Sequence, residues 1–188
     1  MKKIMCFLLI SGSTIACSDK WYRDENAGLL QTVTQMKDNT SVSFQVTDKQ
    51  VMAKEDKTYS WYHKGKMQSS QAAYMGRLLD GPYHEIDQEK KPVVVGMYRK
   101  GLKHNKWLYY DDGALRESME YCKGERHGLQ KAYKDGQLHE QIRYKAGQQH
   151  GPSLTFDEEI IRMIKYRKDE PVDTSFVERL PLLLRLGL

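Results

Sequence analysis

The chain has 188 residues, 30 of them Lys or Arg and 25 Asp or Glu, with a formal net charge of +5 at pH 7. Basic and acidic residues are interspersed along its length, which argues against a nucleic-acid partner, because such proteins concentrate positive charge on one surface. After residue 16 the sequence holds no G-x-S-x-G nucleophile motif, no Walker A or dinucleotide-binding glycine loop and no Cys-x-x-Cys. We therefore expect a non-enzymatic protein that uses no metal and no other cofactor.

The first 17 residues have the form of a bacterial export signal. Lys2 and Lys3 precede a short apolar run at residues 4–10, and small residues follow. At roughly a dozen residues the apolar region is too short to span a bilayer stably. Its end, the tetrapeptide TIAC, resembles the lipobox of bacterial lipoproteins, and this resemblance implies cleavage after Ala16 and a lipid on the Cys17 sulfur. An ordinary secretory peptide and an uncleaved anchor are the alternatives.

This signal sets the expected location of the protein. We expect residues 1–16 to be removed and the mature chain to be lipid-anchored in the bacterial cell envelope, with the outer membrane as the expected site. The protein would then reach the membrane through the lipid on Cys17. Because Cys6 leaves with the signal and Cys17 carries the lipid, Cys122 is expected to have no disulfide partner.

The segment after the signal is expected to be a tether followed by a first strand. Residues 17–40 begin with charged and small residues and include a short helical or strand-like run at 29–36. Apolar and polar residues alternate from Ser41 to Val46, which predicts a strand. We expect this strand to pair with residues 51–54 through a turn at 48–50.

From residue 59 to about residue 171, one pattern recurs every 22 to 24 residues. An aromatic residue followed three positions later by glycine alternates with a Tyr-x-x-Gly, and a Gly or Asn closes each copy. The second tyrosine of each copy is predicted to be a core residue: Tyr74, Tyr98, Tyr121, Tyr144 and Tyr166. The glycines are predicted to lie at the repeat turns: Gly65, Gly101, Gly113, Gly124, Gly128, Gly136, Gly147 and Gly151.

Between these positions the sequence alternates as a strand does. Leu138, Ile142 and Tyr144 fall on one face, with polar residues between them on the other. Each copy therefore predicts two strands and two turns, so that the chain forms a string of antiparallel hairpins. The tyrosine column is interpreted as the core of the sheet, because Leu, Ile and Met share its face. An aromatic platform for sugar rings or bases is the alternative.

This pattern resembles the MORN repeat, and more closely its bacterial variant, in which a Tyr-x-x-Gly-x-x-x-Gly unit alternates with an aromatic-x-x-Gly unit. The copies at 106–128 and 129–151 match best, and the second copy departs because residues 88–90 replace its glycine turn. Pro92 follows there and is expected at a strand start or an edge. The resemblance implies an all-β, elongated, single-layer antiparallel sheet of tandem hairpins over residues 41–171, used for binding rather than chemistry.

Three histidines, His104, His127 and His150, occupy one column of the repeat, and Asp80 takes this place in the first copy. Equivalent positions are two strands apart, or roughly 9–10 Å. Ligands that share one zinc ion lie only some 3–4 Å from each other. We therefore interpret these histidines as turn positions of the repeat and expect no metal site.

The C-terminal segment, residues 172–188, breaks the repeat. Ser175 and Glu178 have the spacing of a capping box, which predicts a short helix that Pro181 would end. Such a helix would cap the open end of the sheet. A hydrophobic tail that touches a partner or a membrane is the alternative.

The function expected from the sequence is that of a lipid-anchored envelope scaffold that binds an unidentified protein or glycan partner with its sheet. Two further functions stay open. Relatives of this repeat are often labelled antitoxin-like, which suggests an immunity protein, here directed against a secreted toxin. Other repeat proteins of this kind suggest direct binding to membrane lipid. The sequence leaves the oligomeric state open.

Overall fold

The computed structural model describes residues 30–157 and 160–179, and over these ranges the chain is all-β. No helix occurs among the described residues, and hence none long and apolar enough to cross a membrane. The strands, in chain order, are β1 Gln31–Lys37, β2 Thr40–Thr47, β3 Thr58–His63, β4 Lys66–Gln71, β5 Arg77–Ile86, β6 Pro92–Arg99, β7 Leu102–Asp111, β8 Ala114–Cys122, β9 Glu125–Lys134, β10 Gln137–Lys145, β11 Gln148–Phe156, β12 Ile160–Arg167 and β13 Glu170–Arg179.

All the strands belong to one open antiparallel sheet of 13 strands. Its order is β1-β2-β5, followed by β6 to β13 in sequence, while the β3–β4 hairpin branches from β5 through the pair Trp61 and Leu78. The predicted all-β antiparallel sheet of consecutive hairpins is confirmed. The sequence signal for Ala16 cleavage and for a lipid on Cys17 falls outside the described residues.

Seven hairpin turns of the described residues have positive φ at both turn residues, and in six of them the second residue is glycine. At Lys123-Gly124, for example, φ is 51° and 86°. This conformation is that of a type I′ turn, whose twist matches that of the flanking strands and which glycine adopts without a Cβ clash. Six hairpin turns share this form: Lys64-Gly65, Lys100-Gly101, Asp112-Gly113, Lys123-Gly124, Asp135-Gly136 and Ala146-Gly147.

The β5–β6 connection replaces this turn with a loop held by one carboxylate. Asp87 Oδ1 accepts hydrogen bonds from the backbone N–H groups of Glu89 and Lys91, at 2.9 and 2.8 Å. Pro92 is the first residue of β6, as its missing N–H predicts.

The glycines that close each repeat lie inside strands and not at turns, which corrects the prediction for Gly128 and Gly151. Their φ values are 102° and 105°, within β9 and β11, and the pairing registers of β8 with β9 and of β10 with β11 shift across them. Each is therefore a β-bulge. A bulge and a turn both favour a residue with positive φ, so the sequence alone does not distinguish them. His127 and His150, which precede these glycines, are accordingly strand residues.

Turns and bulges are linked from one repeat to the next by a recurring hydrogen bond. The N–H of each turn residue donates to the carbonyl oxygen two positions before a bulge residue of the preceding repeat. These donor and acceptor pairs, at 2.6 to 3.1 Å, are Gly101 to Leu79, Gly124 to Lys103, Gly147 to Arg126 and Asp169 to Gln149. The bulge thus exposes a carbonyl group that the next turn satisfies, which fixes the repeat length.

The first part of the sheet differs from the prediction. β1 pairs with β2 along its whole length, from Gln31 opposite Val46 to Lys37 opposite Thr40, and β5 occupies the other edge of β2. The segment 51–54 finds no free edge and is irregular, so its predicted pairing with 41–46 is wrong. Its first backbone N–H and C=O instead bond to the hydroxyl of Tyr74, at 2.7 and 2.6 Å.

The predicted C-terminal helix is also wrong over residues 172–179. These residues belong to β13, which pairs antiparallel with β12 from Ile160 opposite Arg179. The turn before β13 has positive φ at both Lys168 and Asp169 and so continues the hairpin pattern. An open edge of β12 stabilises a strand through a whole ladder of hydrogen bonds, which outweighs a capping box of two side chains. Residues 180–188 lie outside the described part of the chain.

Trp107 lies at the centre of the largest buried cluster. Its side chain is 2% exposed, and its ring centroid lies 4.9 Å from that of Tyr98, 5.5 Å from that of Tyr83 and 6.3 Å from that of Tyr121. The indole N–H donates to the carbonyl oxygen of Met97 at 3.2 Å. Edge-to-face and tilted aromatic contacts of this kind add to the hydrophobic stabilisation of the sheet.

Candidate functional site

The structure brings together three of the five tyrosines predicted to form one core column. Tyr98 and Tyr144 are buried, and Tyr121 packs half-buried against the clusters of both. Tyr74 belongs to a separate cluster, where its ring lies 5.7 Å from that of Tyr59. Tyr166 lies on β12 opposite Gly151 and is in none of the clusters found among the described residues.

Lys103 lies over the aromatic rings of this face. Its Nζ is 4.3 Å from the ring centroid of Trp107 and 5.2 Å from that of Tyr121, within the range of cation–π attraction. The ammonium group also donates a hydrogen bond to the hydroxyl of Tyr109 at 2.9 Å. Burial lowers the pKa of Lys103. The amine is therefore held at a fixed place beside two phenol groups.

The two phenols next to Lys103 are partly exposed. Burial raises the pKa of Tyr109, and its contact and hydrogen bond with Tyr121 raise it further. Burial also raises the pKa of Tyr121, opposed by the charge of Arg126. Both hydroxyls are therefore neutral hydrogen-bonding groups at ordinary pH, and each remains a donor and an acceptor.

Glu117 and Gln130 supply the acceptors of this region. Gln130 Nε2 donates to Glu117 Oε1 at 2.8 Å. The other atom of the amide, Gln130 Oε1, is buried and finds no hydrogen-bond partner among the described residues. An unsatisfied buried acceptor is costly, and Gln35 Oε1 on β1 is a second such atom.

Arg126 repeats the arrangement of Lys103 one copy later. Its Cζ lies 4.7 Å from the ring centroid of Tyr144, and Nη1 donates to the Tyr144 hydroxyl at 3.0 Å. Lys103 and Arg126 are 23 residues apart, and each lies two positions before a bulge. The bulge thus recurrently places a cation over the aromatic face.

Together these side chains form a surface that we name the central patch. Its members come from the three neighbouring strands β7, β8 and β9: Lys103, Tyr109, Glu117, Tyr121, Arg126 and Gln130. The patch combines partly exposed rings with two cations, one carboxylate and one unsatisfied amide oxygen. A few convergent polar groups on an apolar floor are typical of binding sites.

A groove of about 310 Å³ lies between the segment before β3 and the β8–β9 turn. Lys57 bridges it by an ion pair to Glu125 and a second to Asp56, at 3.2 Å. Burial lowers the pKa of Lys57, but its contacts with the two carboxylates outweigh this and raise it. Because the groove's central charges are paired with each other, it is less suited to a polar ligand than the central patch.

Cys122 lines this groove and is disulfide-bonded in the structure. The expectation of a cysteine without a disulfide partner applies to the mature chain after removal of residues 1–16 and lipidation of Cys17, and it stays a prediction. The partner of Cys122 lies outside the described residues.

The histidine column supports the fold of the repeat. His104 is buried in β7, and His127 Nδ1 accepts a hydrogen bond at 3.4 Å from the N–H of Ala146, in the turn of the next hairpin. Burial raises the pKa of Asp80, the equivalent residue of the first copy. In the described part of the chain, no group of three His, Cys, Asp or Glu residues is placed to hold a metal ion.

Sequence reasoning found Tyr121 but missed the other members of the central patch. A signal existed for Lys103 and Arg126, which share one column of the 23-residue period. No periodic signal marks Tyr109 or Gln130, because these positions change from copy to copy, whereas Glu117 recurs as Glu140 in the next copy. Compared with protein-family models, with curated proteins and with solved structures, the chain matches none.

Proposed function

We propose that this protein is a non-enzymatic, lipid-anchored binding protein of the bacterial cell envelope. Its antiparallel sheet presents the central patch to a protein or glycan partner. The observation that carries the proposal is the ammonium group of Lys103, which lies over the rings of Trp107 and Tyr121 and donates a hydrogen bond to the Tyr109 hydroxyl. With the neighbouring carboxylate of Glu117, these groups supply what a polyhydroxylated or peptide ligand needs: flat apolar contact, a charged donor and an acceptor.

Two further features support binding rather than catalysis. The hairpin repeat resembles MORN proteins in sequence, and the resemblance points to interaction surfaces. The two cations of the patch, Lys103 and Arg126, each lie over an aromatic ring. This contact restrains the charged side chain and adds a polar group to an apolar surface. Rigid aromatic and cationic side chains are enriched where proteins bind partners.

Replacing Lys103 by Met tests the patch. Met covers the rings of Trp107 and Tyr121 about as well as a lysine stem does, but lacks the ammonium group. A lost charge-assisted hydrogen bond to a ligand is worth about 1.5–3 kcal/mol, so we expect the partner or glycan to bind roughly 10- to 100-fold more weakly. Binding is measured on a glycan array and against purified envelope fractions, followed by titration of each hit.

The matched control is Lys134→Met, which removes an exposed lysine from the end of β9. It should leave affinity unchanged. Equal loss in both variants, or no loss in Lys103→Met, would reject the central patch as the binding surface. A single tight toxin ligand would instead favour the immunity function, and vesicle binding by the Cys17→Ser chain would favour direct lipid binding.

The anchor is tested by the mass and membrane partition of the protein made in a bacterial host, beside a Cys17→Ser variant. We expect wild type to be cleaved after Ala16, to carry lipid and to partition into the membrane, and the variant to be uncleaved or soluble. Masses with and without reductant also show whether Cys122 is bonded to Cys17. A Cys17 sulfur in a disulfide cannot carry a lipid, so an unlipidated wild-type protein would refute the anchor.

A further inference from the structure

One edge of the sheet differs from ordinary protein edges. β1 lies at the end of the strand order and pairs on one side with β2; among the described residues no strand pairs with its other side. Its seven residues, QTVTQMK, include no Pro, no Gly and a single charge, Lys37, at the last position. Natural edge strands are usually blunted by charge, proline, bulges or short length, because a bare edge recruits another strand. β1 pairs with β2 without any register shift, and apart from Lys37 at its end it has none of these protections.

The opposite edge of the sheet does have them. β13 carries Pro171 near its start and the acidic residues Asp173 and Glu178 along its length. Its pairing with β12 also shifts register twice. The contrast indicates that β13 is built to stay unpaired and that β1 is not.

The free hydrogen-bonding groups of β1 follow from its hairpin. The two-residue turn at 38–39 makes Lys37 and Thr40 a hydrogen-bonded pair, and bonded and non-bonded pairs alternate from there. The N–H and C=O groups of Thr32, Thr34 and Met36 therefore point away from β2. Water solvates these groups in the isolated chain, and another extended backbone is the protein element that matches such a row of alternating donors and acceptors.

The side chains next to this row are exposed and mostly uncharged. Met36 is 68% exposed, and Leu30, just before the strand, is 47% exposed. Thr32 and Thr34 lie between them on the same face and are also exposed. Apolar side chains beside an open ladder favour a partner strand of similar character.

We propose that β1 pairs antiparallel with β1 of a second copy of this chain, about a two-fold axis at Thr34. In this register Thr34 lies opposite Thr34 of the second copy and both backbones exchange two hydrogen bonds, since this residue points its N–H and C=O outward. Met36 then lies opposite Thr32, and Lys37 lies opposite Gln31. No like charges meet, and the exposed methionine gains a cross-strand neighbour. The two sheets become one continuous sheet with closed two-fold symmetry.

This dimer is a separate proposal from the binding function of the central patch, because β2, β5 and β6 separate β1 from β7 in the sheet order. Seven residues from each copy form a small interface. Interfaces of this size are weak, so we expect a dissociation constant in the micromolar range, on the order of 10⁻⁶ to 10⁻⁴ M.

The first test uses a cysteine cross-link at the symmetry axis. In the full-length protein, Thr34→Cys places two sulfur-bearing residues opposite each other, with Cα atoms about 5.5 Å apart in a hydrogen-bonded pair, which is within disulfide range. Thr32→Cys is the matched control: its two copies would be four residues apart along the strands, or roughly 13–14 Å. We expect a disulfide-linked dimer on oxidation from Thr34→Cys and not from Thr32→Cys.

The second test is sedimentation equilibrium of the full-length protein in density-matched detergent, over a concentration series that extends above the micromolar range. Thr34→Pro removes an N–H that β2 does not use and places a ring at the edge. We expect wild type and Thr34→Ala to dimerise and Thr34→Pro to be monomeric with an unchanged circular dichroism spectrum. A wild-type protein that stays monomeric, equal cross-linking at positions 32 and 34, or an undiminished dimer in Thr34→Pro would overturn the proposal. Pairing of the edge with a segment before residue 30 or with another protein would give the monomeric result.

Discussion

Replacing Trp107 by alanine is expected to destabilise the protein by about 3–5 kcal/mol, the range seen when large aromatic side chains are removed from protein cores. The indole is 2% exposed and contacts the rings of Tyr83, Tyr98 and Tyr121 from three different strands. Its removal leaves a cavity that an open sheet has few other side chains to fill. It also ends the cation–π contact that holds Lys103 over this face, at 4.3 Å.

Urea unfolding followed by circular dichroism measures this loss, since the signal does not depend on the tryptophan that is removed. Trp107→Phe is the control: it keeps an aromatic ring, loses the hydrogen bond to the carbonyl of Met97, and should cost less than half as much as alanine. If Trp107→Ala loses less than about 1 kcal/mol, the cluster around this residue is not the main core of the sheet.

The hairpin turns of this fold were predictable because they depend on adjacent residues. Pairs such as Lys123-Gly124 predict their own turn conformation, since only glycine and a few polar residues adopt positive φ easily. The same turn signal then recurs about every 23 residues along the chain. The sheet class and the start of β6 at Pro92 follow from the same local rules.

Elements that depend on which edge is free were not predictable. The alternation at 41–46 correctly predicts a strand, but both of its edges are taken by β1 and β5, which left residues 51–54 without a partner. Ser175 and Glu178 fit a capping box by spacing, yet the free edge of β12 sets a strand there. Local pattern determines whether a segment is extended, whereas tertiary pairing determines its neighbour.

The candidate site was predictable only where it shares the repeat. Tyr121 belongs to the tyrosine column, and Lys103 to the column before the bulges, so both have a periodic signal. The unsatisfied oxygen of Gln130 is a property of packing and has no sequence signature. A repeat pattern reports what all copies share, while a binding site is built from what one copy has alone.

Trp107 and Gly96 show how one copy departs from the others without breaking the fold. A Cβ atom on Gly96 would lie 2.3 Å from the Trp107 ring, so the indole occupies the space of a side chain at position 96. One repeat later the equivalent positions hold Met119 and Gln130, and the two face each other across β8 and β9. One copy fills this space with a large residue and a glycine, Trp107 and Gly96, and the next fills it with two residues of medium size, Met119 and Gln130. Cores tolerate such exchanges when the total volume is kept.

Gly96→Met is therefore expected to destabilise the protein by about 3 kcal/mol, the upper end of the range for overpacked cores. Trp107→Gln should cost roughly as much as Trp107→Ala. The double variant reproduces the pair found in the next repeat, with room for the methionine where the indole was. We expect its loss of stability to be smaller than the sum of the single losses by about 1–3 kcal/mol, the range measured for residues in direct contact.

The four proteins of this double-mutant cycle are compared by urea unfolding at one pH and salt concentration. Gly96→Met combined with Leu138→Ala is the matched control, because β10 lies four strand positions from β6, or about 19 Å. Its losses should add within about 0.5 kcal/mol. If the losses of Gly96→Met and Trp107→Gln add in the same way, the two positions do not share one volume. The repeats would then be equivalent in their turns but not in their core packing.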